Sequence, residues 1–222
     1  MSRFGVGAVF FDLDGTLLNS LPGIESSIAA ACEACGVRMI HSDVRAIVGP
    51  PIRLILSNVT GIEDAGKLDD LERAFRLEYD SVGWVKTPVY PDAGRVLQEL
   101  GSAAVPLFVV SNKPHHIAVR ILQHQGIMHH FQNVVTRDSR NPPYSGKVDM
   151  LQEILDTERY AGFCCAMVGD TIEDALAAES LGLRFIYMAH GYGSLSNEQL
   201  SRVNTAESLP EILELLEKTG DR

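Results

Sequence analysis

Hydrophobic positions along the chain fall into two kinds of run. "GAVFFDLD" (7–14), "VPLFVVSN" (105–112), "QNVVTRD" (132–138), "FCCAMVGD" (163–170) and "RFIYMAHG" (184–191) are short and nearly continuous. Such runs have strand length, and their lack of alternation suits strands covered on both faces. Between them, "AGRVLQELGS", "HIAVRILQHQG", "VDMLQEILDTE" and "EDALAAESLG" repeat apolar residues at helical spacing. Strand and helix in turn predict right-handed βαβ units, and so an α/β fold with a doubly wound, Rossmann-like parallel sheet.

Residues 19–85 break this alternation. "PGIESSIAAACEACG" starts with Pro22 near a first helical position and stops at Gly36, while Leu68, Leu71, Phe75 and Tyr79 recur at helical spacing. The pattern predicts an inserted helical domain over 19–85, leaving a core of 1–18 and 86–222, with Pro88 and Pro91 marking the return. A lid over a ligand crevice is the expected arrangement.

Composition narrows the function classes. With 222 residues, 45% hydrophobic and 22% charged, the chain can bury a substantial core. Nineteen Lys and Arg against 29 Asp and Glu give a net charge of -10, which repels nucleic acid and anionic membranes. Neither is an expected partner. No apolar run spans a bilayer and the N-terminal stretch does not read as a signal peptide, so a cytoplasmic location is expected. Cys32, Cys35, Cys164 and Cys165 read as reduced structural thiols, because the lone CxxC lies in a helical stretch without a second. A monomer or homodimer is expected.

Three of the strand runs end in chemically useful residues: DLDGT, SNK and GDTIED. Ligands of open α/β sheets bind beyond the carboxyl ends of the strands, so these tips should meet at one crevice. Asp12, Asp14 and Asp170 brought together repel one another, and their hard oxygens suit Mg2+. One carboxylate can then act as nucleophile, giving an aspartyl-phosphate. Ser111 and Asn112 can donate hydrogen bonds to phosphoryl oxygens. Lys147, before a helical pattern, can offset the charge of the nucleophile and of the transferring group. Asp174 stands one helical turn beyond Asp170 and is expected to support the metal waters or Lys147.

DLDGT, SNK, a downstream lysine and GDTIED, in this order and approximate spacing, resemble the haloacid dehalogenase superfamily over essentially the whole chain. The insert looks like a C1 cap. "FIYMAHGYGSLSNEQL" and "VGPPIR" resemble the phosphoglycolate phosphatase-like branch, pyrophosphatase relatives included. The resemblance implies that Asp12 is the nucleophile and Asp14 the general acid and base. It also implies that Asp12, the backbone carbonyl of Asp14 and Asp170 hold Mg2+, and that Thr16 positions Asp14. Ser111 and Lys147 would grip the phosphoryl group, with Gly15, Thr16, Asn112 and Arg53 completing the substrate-binding set.

The pattern departs from that branch at the third motif, where Val148 rather than proline follows Lys147. Lys113, inside SNK, is the rival lysine. Arg53 reads either as a solvated cap arginine or as a planar fork for a substrate carboxylate or phosphate, with Arg45 a second candidate. The histidine doublets 115–116 and 129–130 lack metal-ligand spacing, and Gly191 and Gly193 read as turn glycines. Asp14 argues against dehalogenase and phosphonatase relatives, which lack a carboxylate there. Ile24 stands where mutases of the branch carry a histidine. The expected activity is therefore hydrolysis of a small phosphomonoester resembling phosphoglycolate. A sugar phosphomutase, a pyrophosphatase and a non-catalytic ligand sensor are the alternatives.

Overall fold

The computed structural model describes residues 3–41, 43–45, 51–158, 160 and 163–217. Two compact units emerge, Met1–Leu18 with Val89–Arg222, and Asn19–Pro88.

The first unit is built on a six-stranded, wholly parallel sheet. Its strands are β1 (Val9–Phe11), β2 (Leu107–Ser111), β3 (Asn133–Thr136), β4 (Ala166–Gly169), β5 (Arg184–Met188) and β6 (Asn204–Ala206), in the order β3-β2-β1-β4-β5-β6. The chain winds outward from β1 in one direction and then from β4 in the other. The topological switch, where crevices form in such sheets, thus falls between β1 and β4.

Strand alternation explains the double cover. Phe10, Phe108, Met167 and Phe185 share one buried face with Met150, Leu151, Ile154 and Leu155 of α6 (Lys147–Thr157) and with Ala177 and Ala178 of α7 (Ile172–Ser180). Their neighbours Val9, Phe11, Val109, Val168 and Ile186 point to the opposite face and are equally buried. Both faces are dry, so the sequence reads as unbroken apolar runs. At the outer edge, α9 (Leu209–Glu217) follows β6 and packs on β5, β6 and α4 (Ala93–Ser102), while α5 (His115–His124) packs on β3 and the short α8 (Asn197–Leu200) connects β5 to β6.

The second unit is helical among its described residues: α1 (Leu21–Ala34), α2 (Ile52–Thr60), α3 (Ala65–Ser81) and a 3₁₀ turn at Gly83–Lys86. Leu68, Leu71, Phe75 and Tyr79 form the buried stripe of α3. Asp64 caps that helix, its side chain accepting the N–H of Lys67 at 2.9 Å. Within the VGPPIR motif, residues 48–50 lie outside the described residues. No described helix is long and apolar enough to cross a membrane.

Candidate active site

β1 and β4 end side by side, and the residue after each is a buried aspartate. Asp12 follows Phe11, and its N–H donates to the Val168 carbonyl at 2.9 Å, which carries the parallel ladder one step past the strand. Asp170 follows Gly169 at the tip of β4 and is fully buried.

Lys147 opens α6 and is 3% exposed, with its Nζ 3.0 Å from Asp12 Oδ1 and 2.5 Å from Asp174 Oδ1. The other oxygen of Asp174 accepts the Thr171 N–H at 3.0 Å and the Thr171 hydroxyl at 2.6 Å, while the Asp174 N–H donates to that hydroxyl at 3.3 Å. The GDTIED motif is therefore a helix capping box whose acidic member also anchors a buried lysine. Both roles follow from one spacing: residue N3 of the helix reaches back to the cap and across to α6.

Lys113 takes the other carboxylate, with its Nζ 3.0 Å from each oxygen of Asp14. The two rival lysines are thus divided between the two aspartates of DLDGT, Lys147 on Asp12 and Lys113 on Asp14. Ser111 is buried at the end of β2, and its Oγ accepts the Lys113 N–H at 3.4 Å. Asn112 is exposed and donates through Nδ2 to Glu173 Oε2 at 2.8 Å.

Two of the expected residues make other contacts here. Thr16 is expected to position Asp14; its fully buried hydroxyl donates to Asp170 Oδ1 at 3.3 Å. Arg53, expected as a fork for substrate, is committed within its own unit. It donates to Asp69 Oδ1 at 2.5 Å, to Glu72 Oε2 at 3.5 Å and to the Ala65 carbonyl at 3.1 Å, since α3 presents carboxylates to it.

Sequence reasoning misses the loop after β5. The N–H groups of Tyr192 and Gly193 donate to Asp170 Oδ2 at 2.7 and 3.1 Å. A Cβ at Gly15, Gly191 or Gly193 would overlap Asp170. The signal in the sequence is two glycines bracketing one residue just past a strand tip, a pattern that by itself says only that the chain turns. Gly15 also has φ +84, where a side chain is strained. Gly15→Ala combines that strain with overlap on a buried carboxylate and is expected to cost about 2–4 kcal/mol of stability in a urea titration. A cost below about 1 kcal/mol would show that the Asp170 pocket has slack.

Negative charge exceeds positive charge at the site. Burial pushes the Asp12 carboxyl up to about 7, helped by Asp174, Asp170 and Asp14 and opposed by Lys147. Asp170 is raised by burial and by Asp174, against the pull of the Tyr192 and Gly193 amides and of Lys147. Burial works to lower Lys147, yet Asp12 and Asp174 outweigh it and hold the ammonium above its usual range. Asp12, Asp170 and Asp174 each offer one oxygen, all within 4.8 Å of one another. A buried set of hard, incompletely neutralised oxygens fits a hard divalent cation. Asp174 gives one oxygen to the Lys147 ammonium at 2.5 Å and the other to Thr171, whereas the described donors to Asp170 are all uncharged and Lys147 meets Asp12 at the longer 3.0 Å, so Asp12 and Asp170 keep the less neutralised oxygens.

Comparison with known proteins identifies the family. Residues 6–182 match the haloacid dehalogenase-like hydrolase family. The tyrosine-protein kinase PtkA of Mycobacterium tuberculosis is 32% identical over 212 residues, covering 94% of this chain and 72% of PtkA. A phosphoglycolate phosphatase of Vibrio parahaemolyticus is 27% identical over 228 residues, covering 97% of this chain and 98% of that enzyme. A solved haloacid dehalogenase-like family protein from Streptococcus pneumoniae superposes with a TM-score of 0.82 at 24% identity, over 95% of this chain and 98% of its own. Fold, motif residues and family match converge on one statement: the chain belongs to the haloacid dehalogenase-like hydrolase family.

Proposed function

We propose that the protein is a Mg2+-dependent phosphatase that hydrolyses a small-metabolite phosphomonoester through an aspartyl-phosphate on Asp12. The observation that carries this reading is the ion pair between buried Lys147 and Asp12, beside Asp170 at the switch point of the sheet. Lys147 orients the Asp12 carboxylate, so that the second oxygen can attack phosphorus. Ser111, at the neighbouring strand end, donates to a phosphoryl oxygen. Asp14 delivers a proton to the leaving oxygen and later takes one from the attacking water. Lys113 holds Asp14 in place between these steps. Asp12 and Asp170, with the backbone carbonyl of Asp14, are the groups assigned to Mg2+, which when bound neutralises phosphoryl charge. Asn19–Pro88 is the cap in this reading and selects the substrate.

Similarity to phosphoglycolate phosphatases favours a small anionic monoester. Similarity to PtkA supports a second reading, in which the same aspartate passes the phosphoryl group from ATP to a tyrosine hydroxyl instead of to water. One experiment addresses both. The protein is mixed with Mg2+ and either phosphoglycolate or ATP plus a tyrosine-containing peptide, quenched in acid and digested. A phosphoryl adduct on the peptide carrying Asp12, absent with EDTA, is expected with phosphoglycolate, together with released phosphate. Phosphotyrosine without phosphate release would select the second reading. No adduct with either donor, despite turnover, would overturn covalent catalysis at Asp12.

A further inference from the structure

We propose that the loop at residues 190–193 is a positioning element for the Asp170 carboxylate, and that His190 is the pin fixing this loop to the turn at Gly15 and Thr16. The inference rests on the reading of Asp170 as a ligand of Mg2+.

A buried carboxylate keeps one orientation only if its surroundings leave no other. Asp170 Oδ2 takes two backbone N–H groups from adjacent residues of the loop, Tyr192 and Gly193, and Oδ1 takes the Thr16 hydroxyl. Both glycines of the loop touch Asp170 so closely that a methyl group would collide with it. The loop is therefore the wall against which the carboxylate rests, and its position sets that of the oxygens.

Anchors hold the loop at each end. The Gly191 N–H returns to the Met188 carbonyl at 3.2 Å, and the Tyr187 hydroxyl donates to the Gly193 carbonyl at 2.9 Å. These two ties bind the loop to its own strand. His190 supplies a direct link to the Gly15–Thr16 turn: its Nε2 lies 3.2 Å from the Thr16 carbonyl and, facing an acceptor, donates to it. Its ring packs on Tyr90 with centroids 4.0 Å apart. The Tyr90 N–H in turn donates to the Leu17 carbonyl at 2.9 Å. Gly15, Thr16 and the loop thus enclose Asp170 from two sides, and His190 joins the two sides. Groups of this kind, which orient a metal ligand without touching the metal, commonly change affinity by 10–100-fold when removed.

The test is titration of Mg2+ alone into the full chain by calorimetry, with no phosphorylated substrate present. His190→Ala and His190→Phe are each expected to weaken Mg2+ binding about tenfold, since neither can donate to Thr16. The Phe variant retains a ring on Tyr90 and guards against simple loss of packing. His190→Gln keeps an N–H donor and is expected to return the dissociation constant to within about threefold of wild type. Unchanged affinity in His190→Phe, or equal weakening in Phe and Gln variants, overturns the proposal. A wild type that does not bind Mg2+ overturns it together with the metal assignment. A wild type that binds Mg2+ with the expected variant order, yet hydrolyses no phosphomonoester, upholds the proposal and removes the phosphatase reading instead.

Discussion

Asp12→Asn is expected to lose at least ~10⁴-fold in phosphatase turnover and yet to unfold at a higher temperature than wild type in metal-free buffer near pH 8. The loss follows from the chemistry, because an amide cannot be the attacking oxyanion. The gain follows from electrostatics. The Asp12 carboxyl is raised from 3.8 to about 7, chiefly by burial, so near pH 8 the folded state carries an ionised group that burial penalises. A displacement of that size is equivalent to about 4 kcal/mol, an upper limit on what an uncharged replacement can recover. Asparagine has nearly the same shape, and Lys147 keeps Asp174 as a partner at 2.5 Å. In a chain of this size even about 1 kcal/mol moves the midpoint by about 2–4 °C. Paired activity assays and thermal scans in EDTA check both halves. Retained turnover removes Asp12 as nucleophile, and a lowered midpoint shows that the Lys147 pair outweighs the burial cost.

Much of the fold is legible in the sequence because both faces of the sheet are covered. The apolar runs around Phe10, Phe108, Met167 and Ile186 can be read as strands without any periodicity argument. β6 cannot, since it is three residues long, at the edge, with Asn204 and Thr205 exposed. At the site, Asp12, Asp170, Lys147 and Asp174 announce themselves through position: each follows a strand or lies in the first turn of a helix, where a chain commonly presents polar groups to a crevice. Their pairing is a different kind of information. Which lysine meets which aspartate depends on where α6 and the SNK turn place side chains from distant parts of the chain, and spacing carries no signal for that. The same holds for Arg53, whose carboxylate partners come from another helix. Backbone donors are harder still to foresee. Tyr192 and Gly193 hold Asp170 through main-chain N–H groups that nearly every residue offers, so only the surrounding glycines give a sign.

Mg2+ is expected to stabilise the protein far more near pH 8 than near pH 5. Asp12 has a folded-state value near 7 against 3.8 for the ordinary carboxyl, so between these values the folded state binds more protons than the unfolded chain. Stability of the metal-free protein therefore falls as pH rises through this window, and Asp170 is displaced in the same direction. Lys147 does not oppose the trend: it is held above its usual range, so its contribution is constant until the pH approaches the unfolded-state value of 10.5. A divalent cation requires the carboxylates ionised, and below pH 7 it competes with a proton on Asp12. Each further drop of one in pH then weakens apparent affinity by up to about tenfold. At a Mg2+ concentration of about 100 times the dissociation constant near pH 8, binding contributes about 2.7 kcal/mol, and near pH 5 only a small part of that remains. Thermal scans with Mg2+ and with EDTA across this range should show a difference in midpoint at least ~4 °C larger at the alkaline end. Asp149 and Glu211 are held below the ordinary carboxylate range by the Ser145 and Ser208 hydrogen bonds respectively, so they change overall stability with pH in the opposite sense. They do so with and without metal, and the difference between the two scans isolates the site. An equal Mg2+ effect at both ends of the range would mean that the cation binds elsewhere than at Asp12 and Asp170.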